Sequence, residues 1–192
     1  MIALVKGLLA AAAALALGLF VTQATLKDGG PFDIVEVGPW RIATRAGAVD
    51  ADPYTRAGLE QRGEIPLALG EGLQLIARVD DSGRPLDPRC DYSVSPHVPP
   101  ARYWTLSLVD LDGFPVENAA ERYGFRSSEI LRAADGSFAI WASAQAHAGN
   151  WLPIGQNRPF ALVLRLYDSP ISATSGGIEK TTAPRIVREA CA

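Results

Sequence analysis

The first stretch of the chain is apolar on every side and the remainder alternates. Between Met1 and Val21 the only charge is Lys6, and Gly7 to Val21 is unbroken by a polar side chain. Residues 1–21 as a helix would span roughly 30 Å, the thickness of a bilayer core. A helix apolar all round is not a surface helix, whose polar residues would collect on one face. Two readings are open. Residues 1–24 form an uncleaved transmembrane anchor, or a signal peptide cut near Thr22-Gln23-Ala24. Both export the rest of the chain. Lys27 partly balances Lys6, so the charge signal for orientation is thin. Residues 25–33, with Gly29, Gly30 and Pro31, read as a tether.

From residue 34 to 192 the pattern is that of short strands. "FDIVEVGPWRIATRAG" predicts strand, Gly-Pro break, strand. "DADPYTRAGLEQRG" predicts a helix with Asp52 as cap, Pro53 in the first helical position and Gly63 at the end. Leu73, Leu75, Ala77 and Val79 recur at period two before a turn at 81–83, which predicts a hairpin. "ARYWTLSLVDLDGFPV" repeats the device. Trp104, Leu106 and Leu108 share one face, Tyr103, Thr105 and Ser107 the other, and Asp112-Gly113 makes the turn. "SSEILRAADG" predicts a short helix capped by Ser127 or Ser128 and closed by Gly136. "SFAIWAS" and "PFALVLRLYD" predict the last clear strands. In the second, Phe160, Leu162, Leu164 and Leu166 face one way, and Ala161, Val163, Arg165 and Tyr167 the other. Between them "AGNWLPIG" carries Gly149, Asn150 and Pro153, which is turn chemistry and predicts a connection. Its Trp151 should be mostly buried under the sheet edge, with Asn150 bonding the turn, or else it lines a cavity. The tail from Ser169 to Pro184 is mostly turn residues ahead of Ile186 and Val187, and no internal repeat is evident. Repeated hairpins without βα alternation predict a mostly β, antiparallel sandwich with one or two short helices.

Composition narrows the function classes. With 48% hydrophobic and 20% charged residues over 192 positions, the chain has the makings of one packed domain. A net charge of −3 without a basic cluster argues against nucleic acid as a partner. Cys90 and Cys191 are the only cysteines. In an exported domain they predict a disulfide, against the alternative of two separate buried thiols. No G-x-S-x-G, H-E-x-x-H, phosphate-binding loop or dinucleotide fingerprint is present, and no cofactor or metal site is expected. The two histidines, His97 and His147, sit in loops. A hydrolase using either, with a serine such as Ser93, Ser95 or Ser143, has no spacing to support it. Asp110 and Asp112 read as a solvated turn.

What remains is aromatic and cationic: Arg102 and Trp104, Asn150 and Trp151, Arg165 and Tyr167. Arg165 in an apolar strand is costly unless paired or solvated. It would clamp a ligand carboxylate, with Asn150 and Trp151 as a pocket wall, or lie on the wet face paired with Asp168 or Asp110. The expectation is a module binding a small molecule, glycan or lipid-derived ligand, with an envelope structural or assembly module as the alternative.

The strings "GPW" at 38, "DPYTRA" at 52, "ARYWTL" at 101, "DGSF" at 135, "GNWLP" at 149 and "LRLYD" at 164 resemble, in order, the bacterial family called domain of unknown function 1214. Cys90 in "CDY" and the late Cys191 are similar to its short, membrane-tethered members. The resemblance implies a jelly-roll-like β-sandwich, which the export reading of the N-terminal segment sets facing the periplasm. It brings no established activity. In longer relatives a companion, domain of unknown function 1254, precedes this one and is missing here.

Overall fold

A computed structural model of the protein describes residues 2–27, 34–68, 70–155, 158–170 and 183–191. The tether at 28–33 and most of the predicted tail, 171–182, lie outside the described residues. The chain divides into two compact units, one of residues 1–32 and 50–65, the other of 33–49 and 66–192.

In the first unit, α1 (Ile2–Lys27) runs past residue 24 and is long and apolar enough to cross a membrane. Its 26 residues cover about 39 Å. The apolar side chains are exposed, from Ile2 to Val21. α2 (Pro53–Arg62) forms as its caps predict. The Asp52 carboxylate accepts the Tyr54 and Thr55 amides and the Thr55 hydroxyl, and Gly63 ends the helix at φ +60.

The second unit is mostly β and holds two sheets. Six strands run in the order β1 (Ile34–Val37), β2 (Trp40–Ala43), β3 (Gly72–Ala77), β9 (Phe160–Tyr167), β5 (Tyr103–Asp110) and β6 (Gly124–Arg126). The other four are β10 (Arg185–Cys191), β4 (Cys90–Ser95), β7 (Ile140–Ser143) and β8 (Asn150–Pro153). The inner face of the larger sheet carries Trp40, Leu75, Trp104, Leu106, Leu164 and Leu166, which join Tyr92, Val94, Ile140, Leu152 and Ile186 of the smaller sheet in one core. The period-two assignments for β3, β5 and β9 hold, because each leucine row lies in that core. Gly38 and Pro39 make the two-residue turn between β1 and β2. Gly38 has φ +59 and proline cannot follow it there, so the turn is of the kind with glycine first.

Three expectations are corrected. The predicted helix over "SSEILRAADG" does not form. Its backbone is claimed from elsewhere, by Ser127 N–H to Trp104 O at 2.9 Å and by Asn150, which both accepts from Leu131 N and donates to Leu131 O. The fold is not wholly antiparallel, since β7 and β8 run parallel, with Trp141 beside Trp151. Nor are the turns after β3 and β5 tight hairpins, since β3 leads on to β4 of the other sheet and β5 reaches its antiparallel neighbour β6 only after residues 114–123. They are two copies of one short motif, "VDDSGRPLD" at 79 and "VDLDGFPVE" at 109, the repeat that the alternation had hidden. In each copy the first aspartate's Oδ1 accepts amides two and four residues on, Ser82 and Arg84 for Asp80, Asp112 and Phe114 for Asp110. In each, valine and proline bridge across the turn, as Val79 with Pro85 and Val109 with Pro115.

The copies differ in what they reach. Asp110 serves its own turn. The Asp80 side chain is 1% exposed and takes Arg188 of β10 at 2.8 Å. Arg188 lies over the Tyr92 ring and donates to Pro85 O at 2.5 Å. Asp81 adds Arg185 at 2.8 Å and the Ile186 amide at 3.0 Å. A bulge between Arg188 and Cys191 then sets Cys191 opposite Cys90, and the two form a disulfide with Cα atoms 3.9 Å apart. Closing a loop with sequence separation 101 is worth up to about 4.7 kcal/mol through the unfolded state.

Burial alone would raise the Asp80 carboxyl. The bonds from Ser82 and Arg84 and the charge of Arg188 outweigh it and hold the group below its ordinary 3.8. The folded state therefore binds that proton more weakly than the unfolded one, and the clasp's contribution is complete above about pH 4 and drains away as the pH falls further. Asp80→Asn should cost about 3 kcal/mol at neutral pH by leaving Arg188 without its partner. Thermal melts from pH 7 to pH 2.5 check this. The variant should lose less stability over that range than the parent, and parallel curves would remove Asp80 as a source of the acid sensitivity.

Candidate functional site

The six aromatic and cationic candidates fall in different places. Trp104 is 3% exposed and stacks on Phe138 at 5.3 Å, so it belongs to the core and cannot line an open site. Asn150 is buried as well. Its amide donates to Leu131 O and Ala139 O at 2.9 and 3.0 Å, and its Oδ1 accepts Leu131 N. It does bond loop backbone, but that of residues 131–139 rather than its own turn. Trp151 lies on the outer face of the smaller sheet, while Arg165 and Tyr167 lie on the outer face of the larger one. Arg102 is exposed near Tyr167 and pairs with Asp168 at 3.6 Å. The predicted convergence of Asn150, Trp151 and Arg165 on one pocket is not found.

The segment around Trp151 is a strand, not a connection, and this explains the tryptophan. Parallel neighbours ordinarily need a crossover of a dozen or more residues. Here only residues 144–149 return the chain from the end of β7 to the start of β8. They can span about 20 Å, enough to go back along a four-residue strand of roughly 13 Å. The inner face is filled, so the return passes outside. His147 stacks on Trp141 at 4.2 Å and 17°, and the Trp151 indole donates to Ser143 O at 3.0 Å. The two tryptophans pin the crossover from either side. Trp151 is accordingly half-buried, not mostly buried, because Leu152 takes the inward position. Arg122 donates to Trp151 O at 2.9 Å and covers the edge of β8. His147 is thereby occupied, its Nδ1 lying 3.0 Å from Ala148 O. Ser93 donates to Glu189 at 2.7 Å.

The outer face of the larger sheet is the more open candidate at its Tyr103–Tyr167 end, while toward Val109, Ala161 and Val163 it is buried. Its register stacks two rows across the central strands. Tyr103, Tyr167 and Gly72 form one, and Arg126, Thr105, Arg165 and Gln74 the next. Tyr103 and Tyr167 lie 5.9 Å apart, and Arg165 Nε donates to Gln74 Oε1 at 2.8 Å. Neither Asp168 nor Asp110 reaches Arg165, since Asp168 pairs with Arg102 and Asp110 caps its turn. Gly72 has no room for a side chain. A Cβ there would stand 2.0 Å from Leu166 O, so its place beside Tyr167 stays open. Hydroxyls, an amide, a guanidinium and two phenol rings on a flat support make a surface able to bond and stack on a small polar ligand. Nothing in the alternation could show which row joined which, because that is set by pairing between distant strands. Among the described residues no group of three or more His, Cys, Asp or Glu is placed to hold a metal.

The separation of roles is testable by stability. Trp104→Ala should cost about 3–5 kcal/mol, the usual range for emptying a core tryptophan site. Trp151→Ala should cost about 2 kcal/mol, from one hydrogen bond and partial burial. Denaturant titration of both variants checks the order, and equal losses would mean that Trp151 is a core residue after all.

No curated protein matches the chain. Among solved structures, the VPA0106 protein from Vibrio parahaemolyticus aligns with 76% of this chain at 23% identity and a TM-score of 0.59. A putative uncharacterized protein from Burkholderia cenocepacia aligns with 88% at 22% identity and a TM-score of 0.42. The chain spans 37% and 49% of their lengths. The first likeness supports the fold and says nothing of activity. Residues 71–171, from β3 through β9, match the profile of a family described as a protein of unknown function. On that match, over more than half its length, the chain belongs to the DUF1214 family.

Proposed function

We propose that the chain is a membrane-tethered, periplasm-facing module whose jelly-roll-like β-sandwich binds a glycan on the outer face of its larger sheet. The observation that carries this reading is the pair of rows that sets Tyr103 and Tyr167 beside Thr105, Gln74 and Arg165. Sugars offer alternating apolar ring faces and hydroxyls. Phenol rings cover the first, and a hydroxyl, an amide and a guanidinium bond the second. The face sits on central strands locked by pairing on both sides, so binding would cost little ordering. Export is supported by α1 and by the Cys90–Cys191 bridge, a bond that persists in oxidising compartments.

An assembly role is a second reading, favoured by Leu111 and Phe114, 47% and 63% exposed at the turn after β5. Two side chains are a small patch against the roughly 800 Å² per partner of a stable interface, so this reading ranks behind the first.

Two measurements bear on the proposal. In cell fractionation the intact chain should pellet with the inner membrane, and residues beyond 34 should become protease-accessible once the outer membrane is breached. A soluble cytoplasmic full-length chain would remove the export reading. The full chain, in a detergent without sugar headgroups, should be retained by some members of a panel of neutral and acidic oligosaccharides. Tyr103→Ala with Tyr167→Ala should abolish retention while shifting the melting temperature little, because both rings are half-exposed. Retention of no sugar would end the glycan reading.

A further inference from the structure

Resting on the glycan reading, we infer that Arg165 selects sugars bearing a carboxylate, so that the ligand is an acidic saccharide of the uronic-acid type. An arginine on a sheet face usually finds a carboxylate across the ladder or in the adjoining loop. Two aspartates are near enough in sequence to serve, and both are used elsewhere. Asp168 pairs with Arg102 at 3.6 Å, and Asp110 accepts Asp112 N and Phe114 N at 3.0 and 2.9 Å. Among the described residues Gln74 is the one hydrogen-bond partner of Arg165, and it holds Nε. An amide on Nε does not neutralise the charge. It orients the guanidinium plane and leaves the Nη edge unspent.

The neighbours raise the local charge. Thr105 stands between Arg165 and Arg126 in one row, so two guanidiniums flank a single hydroxyl. Arg126 is paired with Glu129 at 3.6 Å, an exposed contact that screens it only in part. The residues of the two rows include no carboxylate, and in the next one, Gly124, Ser107, Val163, Ile76, Arg41 and Glu36, the single carboxylate lies at the far edge and pairs with Arg41 at 3.4 Å. The chain as a whole carries −3, so this strip departs in sign from the average surface.

An oriented fork with a free Nη edge matches a planar carboxylate in two parallel hydrogen bonds. One guanidinium balances one negative charge. A phosphate carries nearly twice that and is usually met by several donors. The tyrosine pair, a row away, is placed for the ring of the same or the adjoining residue. Carboxylate recognition and ring stacking therefore fall on one saccharide.

The test is titration calorimetry on the full chain in a nonionic detergent without sugar headgroups. The probes are trigalacturonate, neutral trigalactose and inorganic phosphate as competitor. The acidic trimer should bind on the order of tenfold tighter than the neutral one at low salt, the value of a charge-assisted pair. That preference should shrink at high salt. Arg165→Gln should abolish the preference, so that the variant binds the acidic and the neutral trimer alike, and Arg165→Lys should retain only part of it. Melting curves of both variants verify folding. Equal affinity of the parent for both trimers, or a preference that survives Arg165→Gln, would overturn the inference and leave the glycan reading standing. Phosphate displacing trigalacturonate at equal concentration would overturn the carboxylate assignment. Binding of neither trimer would overturn both the inference and the glycan reading.

Discussion

The buried ion pair of Asp80 and Arg188 is the point at which the two sheets of the larger unit are held to one arrangement. Asp80 stands at the turn after β3, a strand of the six-stranded sheet, and Arg188 on the edge strand of the four-stranded sheet. An unpaired carboxylate at 1% exposure would be intolerable, and so would the arginine beside the Tyr92 ring. Each makes the other's burial possible. With β10 in place, Tyr92 and Ile186 are sealed at 0% exposure, and Trp40 reaches across to donate its indole N–H to Pro184 O at 2.6 Å. Buried pairs are poor sources of net stability, but they are strict about geometry. Here the geometry includes the disulfide, because Cys191 meets Cys90 only after the bulge that follows Arg188.

The same logic separates the two copies of the turn motif. Both aspartates satisfy backbone amides that the turn would otherwise leave bare. Only one copy carries a second acidic residue directly after the first. Asp81 gives Arg185 and the Ile186 amide a place to bind, while Leu111 at the matching position points to solvent. A turn that began as local chemistry became a clasp in one case and an exposed apolar tip in the other.

Legibility in the sequence followed the range of the interactions. The cap and stop of α2 lie within a dozen residues and were readable from Asp52, Pro53 and Gly63. The leucine rows of β3, β5 and β9 were readable because alternation alone sorts them into the core. β8 was hidden by its turn residues, Asn150 and Pro153, and β6 by its length of three residues. The missing helix at 127–136 failed because Asn150, some 19 positions away, takes the Leu131 backbone for itself. Of the candidate site, Arg165 and Tyr167 were correctly placed on the polar side of β9, whereas Trp104 stood on its strand's core side by the same alternation. The phase of the alternation, not the residue type, decides that Trp104 packs inward.

By itself the sequence determined the apolar N-terminal helix, the β character of the rest, and which side of each long strand faces inward. These depend on side-chain chemistry repeated at short intervals, and no partner strand is needed to decide them. The pairing of strands, the parallel return over Trp141, and the meeting of Arg165 with Gln74 across 91 positions were decided only by tertiary structure. Such contacts arise from competition among edges for backbone partners and from where charge can be buried. Neither can be read from a string in which every hydrogen-bonding backbone looks alike.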